Sequence, residues 1–174
     1  MPRRRPLHAA AVVLAVWAAS WGSGPVPEHA AAASVLAPHH SFAQPTWNPD
    51  GNLIAYVSSD AGSQDIWISD PSGANPLNLT ADSSGRDSSP AWSPDGQRMA
   101  FYSERDGGGI FTMMILGGDL RVRLPLSSPP HSLRWSASGA LVFEVADPDG
   151  GIRMYSLQAG AVRPDCLTCS LAAR

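Results

Sequence analysis

The sequence predicts an all-β protein that is built from three copies of one repeat. Each copy places a tryptophan directly before a tight turn, in the strings Trp47-Asn-Pro-Asp-Gly51, Trp92-Ser-Pro-Asp-Gly96 and Trp135-Ser-Ala-Ser-Gly139. The tryptophans are 45 and then 43 residues apart, and a repeat of about 40–45 residues with strand-like content is typical of propeller blades. The 16 glycines and 16 prolines agree with an all-β chain that has many turns. We therefore expect a partial β-propeller of about three four-stranded antiparallel blades.

The second repeat shows the expected strands most clearly. Its four runs are Ser89–Trp92, Arg98–Ser103, Ile110–Leu116 and Leu120–Leu124, and the last alternates apolar and charged residues as a half-buried strand does. In the Ser-Pro-Asp-Gly turn, proline sets φ, aspartate can bond its own local backbone and glycine takes a positive φ.

The first and third repeats follow the same plan, and the third is the most eroded. Their later strands are expected at Leu53–Ser58, Asp65–Ser69 and Pro76–Thr80, and at Leu141–Val145, Ile152–Ser156 and Val162–Thr168. The third strands share an apolar–aromatic pair, in Ile66-Trp67, Ile110-Phe111 and Met154-Tyr155. Bulky residues that recur once per repeat are expected to form the core between stacked blades, and we assign the tryptophans the same role.

The remaining segments lie at the two ends of the chain. Residues 1–33 are expected to be a signal peptide, because Arg3–Arg5 precede the apolar run Ala9–Ala19 and Ala30–Ala32 offers a cleavage site. An uncleaved single-span anchor is the alternative, although the apolar run is short for a membrane span. We expect a linker at 34–44, repeats over 45–169 (blades about 45–80, 89–126 and 132–169) and a tail at 170–174.

The string from Asp87 to Gly96, Asp-Ser-Ser-Pro-Ala-Trp-Ser-Pro-Asp-Gly, resembles the TolB-type β-propeller repeat at nearly every position. Leu79-Thr80 and Leu167-Thr168 match the blade-closing end of that repeat, and the resemblance covers residues 41–169. The resemblance implies a platform that binds at loops or in a central channel. Such repeats occur in export-pathway proteins and in the gating domains of peptidases.

The number of repeats leaves the ring incomplete, since propellers typically close with 4–8 blades. Three explanations stay open at this point: the sequence is a fragment, two copies pair into a six-bladed homodimer, or the three blades stand open. The resemblance favours six blades for a complete ring.

The candidate catalytic and metal motifs do not reach the pattern that their chemistry needs. The G-x-S-x-G elbow of serine hydrolases does not occur in the sequence, so we expect no enzyme. Cys166 and Cys169 lack the partners of a redox, haem or zinc motif; they are expected either to form a disulfide in a C-terminal turn or to pack as small apolar residues. His39-His40, Asp60–Asp65 and Asp147–Gly151 are interpreted as linker and turn residues, so no metal and no cofactor is expected.

The predicted function is that of a non-catalytic binding module of an exported bacterial protein, periplasmic or extracellular. The alternative is the propeller of a prolyl-oligopeptidase-type serine peptidase whose catalytic domain is missing. The partner would be a protein or a small ligand at one propeller face, with no nucleic acid, since the net charge is −3, and with a membrane only if residues 1–33 stay attached. The candidate partner-binding loops are 82–89 and 104–109, with Asp82, Arg86, Asp87, Glu104 and Asp106.

Overall fold

The computed structural model describes residues 41–169, and the expectations for the signal peptide, most of the linker and the tail lie outside these residues. The described residues form twelve strands in three four-stranded antiparallel sheets, each with its strands in chain order. The prediction of three four-stranded blades is therefore confirmed. The strands are β1 Phe42–Trp47, β2 Ile54–Ser58, β3 Asp65–Ser69, β4 Leu77–Asn78, β5 Asp87–Trp92, β6 Arg98–Ser103, β7 Gly109–Met114, β8 Arg121–Pro125, β9 Ser132–Trp135, β10 Leu141–Ala146, β11 Ile152–Leu157 and β12 Asp165–Cys166.

The first strands of two blades contain a bulge that the sequence prediction missed. The β1–β2 register shifts between Ala43 and Thr46, and the β5–β6 register shifts between Ser88 and Ala91. Gln44 and Ser89 hold equivalent places in these bulges, with φ values of 52° and 56°. A proline follows each of them, and proline has no N–H to give to a ladder. Because of the bulges, β1 begins at Phe42, inside the segment expected as linker, and β5 begins at Asp87 rather than Ser89.

The turn after each tryptophan is held by the side chain of the next residue. Asn48 Oδ1 accepts from the backbone N–H of Leu53 at 2.9 Å, and Ser93 Oγ accepts from that of Arg98 at 2.9 Å. In the eroded third repeat, Ser136 Oγ accepts from the backbone N–H of Ala140 at 3.1 Å, so the function of the turn survives the loss of its Pro-Asp pair. The hydrogen bond from the Ser93 hydroxyl, followed by that from the backbone N–H of Gln97, lowers the pKa of Asp95.

The last strands of the first and third blades are short because a threonine hydroxyl completes the ladder. The backbone N–H of Ile66 donates to Thr80 Oγ1 at 3.0 Å, and that of Met154 donates to Thr168 Oγ1 at 3.1 Å. The expected Leu-Thr blade ends therefore close their sheets through the threonine side chain. The ladder strands themselves are only two residues long, at β4 and β12.

Two apolar cores hold the three blades together. The core between the first and second blades gathers Ala55, Ile66 and Ile68 against Trp92, Phe101 and neighbouring residues of the second blade. The core between the second and third blades gathers Ala100 and Ile110 against Leu141, Phe143 and Leu157. The apolar–aromatic pairs lie where the sequence predicts, with Phe111 stacked on Phe101 and Tyr155 stacked on Phe143.

The repeated tryptophan also joins each blade to the one before it by a hydrogen bond. Trp92 Nε1 donates to the backbone carbonyl of Thr46 at 3.1 Å, and Trp135 Nε1 donates to that of Ala91 at 3.1 Å. In both cases the acceptor is the residue that precedes the tryptophan of the previous blade. Trp92 is buried, whereas Trp47 of the first blade is 49% exposed.

Candidate functional site

The loops before β5 and after β6 meet around a buried ion pair. Asp87 is fully buried, and both its carboxylate oxygens accept from Arg105 Nη2 at 3.2 Å. The Arg105 guanidinium lies 5.5 and 5.4 Å from the ring centres of Phe101 and Phe111, and its Nε donates to Ser103 Oγ at 2.7 Å. Aromatic faces attract a cation, so the arginine is held by the core of its own blade. This pair fixes the geometry of both loops.

Asp87 was predicted as a partner-binding residue, and the structure places its carboxylate inside the loop contact, where Arg105 already satisfies it. The sequence presents Asp87 as a polar residue in a serine-rich loop, and its cation lies 18 residues later in the chain. A buried carboxylate needs such a partner, and the sequence around Asp87 does not show it.

The two predicted loops pack directly on one another. The backbone N–H of Glu104 donates to the carbonyl of Arg86 at 3.0 Å. Gly85 has no room for a side chain, since a Cβ there would lie 2.7 Å from Arg105 N and 2.9 Å from Glu104 C. The close approach explains why a glycine occupies this position, and it brings the exposed side chains of Arg86 and Glu104 to one place.

A cleft of about 550 Å³ opens above this contact. It collects residues from the beginnings of β1 and β5, from the segment directly before β9 and from the neighbouring loops. Its lining is Gln44, Gln64, Arg86, Ser88, Ser89, Tyr102, Glu104, Pro129, Pro130 and His131. The cleft is thus the point at which the three repeats converge, as a ligand site at a propeller face would.

The polar groups of the cleft are linked across blades. Arg86 donates from Nε and Nη2 to Gln64 Oε1 at 3.0 and 2.8 Å, and the backbone N–H of Ser89 donates to Gln44 Oε1 at 2.6 Å. Burial, with the nearby charge of Glu104, raises the pKa of Tyr102, so this phenol stays protonated and can donate a hydrogen bond. Arg86 and Glu104 therefore bring opposite charges to a cleft that is also lined by amide, hydroxyl and phenol groups.

The predicted site residues divide according to their place around this cleft. Arg86 and Glu104 line it, Asp87 lies buried in the loop contact, and Asp82 and Asp106 are exposed outside its walls. Gln44, Gln64 and His131 line the cleft and were not predicted. No local pattern marks these three, because only the stacking of blades brings them together.

The other sequence candidates are engaged within the fold, in turns or, for Asp65, at the start of β3. Cys166 and Cys169 form a disulfide with their Cα atoms 5.5 Å apart, which is the first of the two roles expected from the sequence, rather than packing as free apolar residues. Asp65 is buried and accepts from Ser63 and Asn78 at 2.7 Å each, and Asp147 pairs with Arg153. Within residues 41–169, no group of three or more His, Cys, Asp or Glu side chains is placed to hold a metal ion. The same residues include no helix with the length and apolarity to cross a membrane.

Comparison with known proteins gives one family and many similar folds. The sequence model of the family described as TolB beta propeller domain matches residues 29–171. TolB from Acinetobacter baumannii is 25% identical with a TM-score of 0.63, over 74% of this chain and 32% of that chain. A putative TolB from Agrobacterium tumefaciens is 21% identical with a TM-score of 0.59, over 74% of this chain and 49% of that chain.

A third similar structure is a puromycin-hydrolyzing peptidase from Mycobacterium tuberculosis. It is 17% identical with a TM-score of 0.55, over 74% of this chain and 20% of that chain, and at this identity it shows the fold alone. The chain thus spans about a third to a half of the two TolB structures. No curated protein matches it significantly.

Proposed function

Because the chain belongs to the TolB β-propeller domain family, we propose that it is a non-catalytic binding module that takes a protein or a small ligand at the cleft lined by Arg86 and Glu104. The observation that carries this proposal is the convergence of three blades on one polar cleft of about 550 Å³. Pockets of this size bury most of a small ligand or one protruding loop of a protein. The opposite charges of Arg86 and Glu104 would fix the orientation of the bound group.

The architecture beneath the cleft supports a binding role. The ion pair between Asp87 and Arg105 and the tight contact at Gly85 hold both loops on the blade, so Arg86 and Glu104 are presented from a rigid base. A site held in place before binding loses less side-chain and loop freedom when the partner arrives. The absence of a G-x-S-x-G elbow from the sequence supports the non-catalytic part of the proposal.

Charge reversal tests the cleft. We expect the double variant R86E/E104R to reduce binding of a partner captured with the wild-type chain by about tenfold or more, since each of two oriented contacts becomes repulsive. The matched control is D50R/R163E, which exchanges one acidic and one basic residue at exposed positions outside the cleft. Affinity capture from the native host, followed by titration of the identified partner, measures both. Equal binding by R86E/E104R and by the wild type would contradict the proposal.

We also propose that the chain is exported to the periplasm or the extracellular space. The predicted signal peptide at residues 1–33 and the disulfide between Cys166 and Cys169 support this, because disulfides persist in oxidising compartments. In the native host, a maleimide reagent should add mass to the chain only after reduction. The C166S/C169S variant, which has no thiol, gives the unlabelled reference. Full labelling without a reductant would place the protein in a reducing compartment and contradict export.

A second copy of this chain is the partner that we propose for the open blades. The next blade in the ring would place its tryptophan Nε1 on the backbone carbonyl of Arg134, by the rule that Trp92 and Trp135 already follow. On the face of the third blade, Val142, Met154 and Leu167 occupy the positions that Ala55, Ile66 and Leu79 hold in the first inter-blade core. The dimer would thus repeat an interface that the molecule already contains twice.

The first blade offers the complementary surface around Trp47. Ile54 and Tyr56 on the same face are already buried, so the second copy would cover chiefly the exposed half of Trp47. Light scattering on the purified chain should give the mass of a dimer at micromolar concentration, and W47A should shift the mass toward the monomer. A control variant, L116A, changes a fully exposed residue away from either face and should leave the dimer intact. A wild-type chain that is monomeric at this concentration would contradict the pairing.

A further inference from the structure

A cavity of about 310 Å³ lies between the second and third blades, at the end of β6 that is opposite to the cleft. Arg98, Thr112, Arg121 and Arg123 of the second blade line one wall, and Trp135 and Ala159 of the third blade lie on the other. The apolar core between these blades ends at this cavity. Three guanidinium groups therefore border an inter-blade space that the rest of the interface fills with hydrocarbon.

The corresponding place between the first and second blades has no such lining. The strand registers align Arg98 with Leu53, Thr112 with Ile68 and Arg121 with Leu77. On the opposite wall they align Ala159 with Ile115, which is buried in the first core. Four apolar side chains are thus replaced by two arginines, a threonine and an alanine. The repeat has diverged at this interface toward a larger and more basic space.

A bulge in β8 brings the third arginine to the cavity. Leu124 pairs with Ile110 and Val122 pairs with Phe111, so Arg123 is the extra residue between them. Bulges commonly re-aim a side chain near a functional site. As a result, Arg121, Arg123 and Leu124 all lie on the face of the second blade that is turned toward the third blade. Arg123 Nη2 donates to the backbone carbonyl of Gln158 at 3.3 Å.

The carboxylate of Asp119 pairs with both of the other arginines, Arg98 and Arg121. Asp119 accepts from Arg121 Nε at 2.5 Å and pairs with Arg98 Nη1 at 3.1 Å. The hydrogen bond from Arg121, together with that from Arg98, lowers the pKa of Asp119, so the carboxylate keeps its charge to lower pH than an ordinary aspartate. Each guanidinium has five N–H donors, and this contact engages only one of them. Three cations face one carboxylate, which leaves the site basic.

We propose that this cavity binds the phosphate group of a small molecule. Guanidinium groups pair with phosphate through parallel N–H···O bonds, and a tetrahedral dianion has enough acceptor oxygens to engage more than one arginine at a time. A planar carboxylate presents its oxygens in one plane and meets fewer of them. The volume of about 310 Å³ lies at the lower end of the range for small-ligand pockets, which suits a phosphate monoester of modest size.

Calorimetric titration of the whole chain with inorganic phosphate, at constant ionic strength, tests the proposal. We expect saturable binding, weakened about tenfold in R123Q, since one charge-assisted contact is lost. The matched control R163Q removes the same charge from an exposed position of the third blade and should bind like the wild type. No saturable binding by the wild type up to about 10 mM phosphate, or equal weakening in R123Q and R163Q, would overturn the proposal.

A second variant restores the residues of the first interface. R98L/T112I/R121L should fill the cavity with apolar side chains and abolish phosphate binding while it keeps the circular dichroism spectrum of a β protein. If this variant does not fold, the comparison of R123Q with R163Q decides alone. Succinate should bind at least about tenfold more weakly than phosphate, and equal affinity would contradict the phosphate class. Sedimentation with phosphatidic acid vesicles distinguishes a lipid-borne phosphate from a soluble one, and in either case R123Q must bind more weakly than the wild type.

Discussion

Replacing Arg105 by alanine should lower the free energy of unfolding by about 3 kcal/mol, because it leaves the fully buried carboxylate of Asp87 without its cation. The loss includes the contacts of the guanidinium with the Phe101 and Phe111 rings. The matched control is R121A, which breaks a more exposed ion pair with Asp119 and should cost at most about 1 kcal/mol. Urea denaturation followed by circular dichroism measures both.

The charge itself can be separated from the packing of the arginine. In the R105A background, D87N removes the stranded carboxylate and should recover part of the lost stability. If R105A cost no more than R121A, the ion pair would not hold the loops. The rigid base that we assign to the cleft would then lose its support.

Replacing Trp92 by alanine should lower the free energy of unfolding by about 4 kcal/mol, since this side chain is buried between the first two blades and its removal leaves a cavity. The milder variant W92F keeps an aromatic ring but removes the N–H that donates to Thr46. It should lower the free energy of unfolding by about 1 kcal/mol more than a substitution at an exposed position does. L116A changes a fully exposed residue and should stay within about 0.5 kcal/mol of the wild type. Urea denaturation curves of the three variants provide the comparison.

If W92A does not fold, W92F still tests the hydrogen bond of the tryptophan. A W92F protein as stable as the wild type would show that the indole N–H bond contributes nothing to the joining of blades. The tryptophan repeat would then serve packing alone. A hydrogen bond from the tryptophan of a second copy to the carbonyl of Arg134 would then add nothing to the dimer.

Much of the fold could be predicted because turn motifs recur in each repeat and mark the ends of the strands. The strands Asp65–Ser69 and Arg98–Ser103 lie where the sequence predicts them, since glycine-rich turns bound both runs of apolar residues. The start of β1 was missed because the bulge at Gln44, followed by a proline, interrupts the strand pattern. The local pattern therefore fails where the backbone departs from regular pairing.

The cleft was predictable only in part, for a different physical reason. Arg86 and Glu104 stand out as charged loop residues, and the structure brings them together through a backbone hydrogen bond. Gln44, Gln64 and His131 reach the same cleft only because three blades stack, and that contact leaves no local signal in the sequence. The burial of Asp87 could not be predicted for the same reason, since its partner Arg105 is apparent only after folding.

The central claim is that the chain acts by binding at the cleft between its loops. Its most direct measurement is site-specific photocrosslinking in living cells of the native host, with the crosslinking residue placed at Arg86, Glu104 or Leu116. Leu116 is fully exposed in the turn after β7, at the other end of the second blade from the cleft. We predict adducts to the same partner from positions 86 and 104 and none from position 116. Adducts from position 116 with none from positions 86 and 104 would contradict the claim.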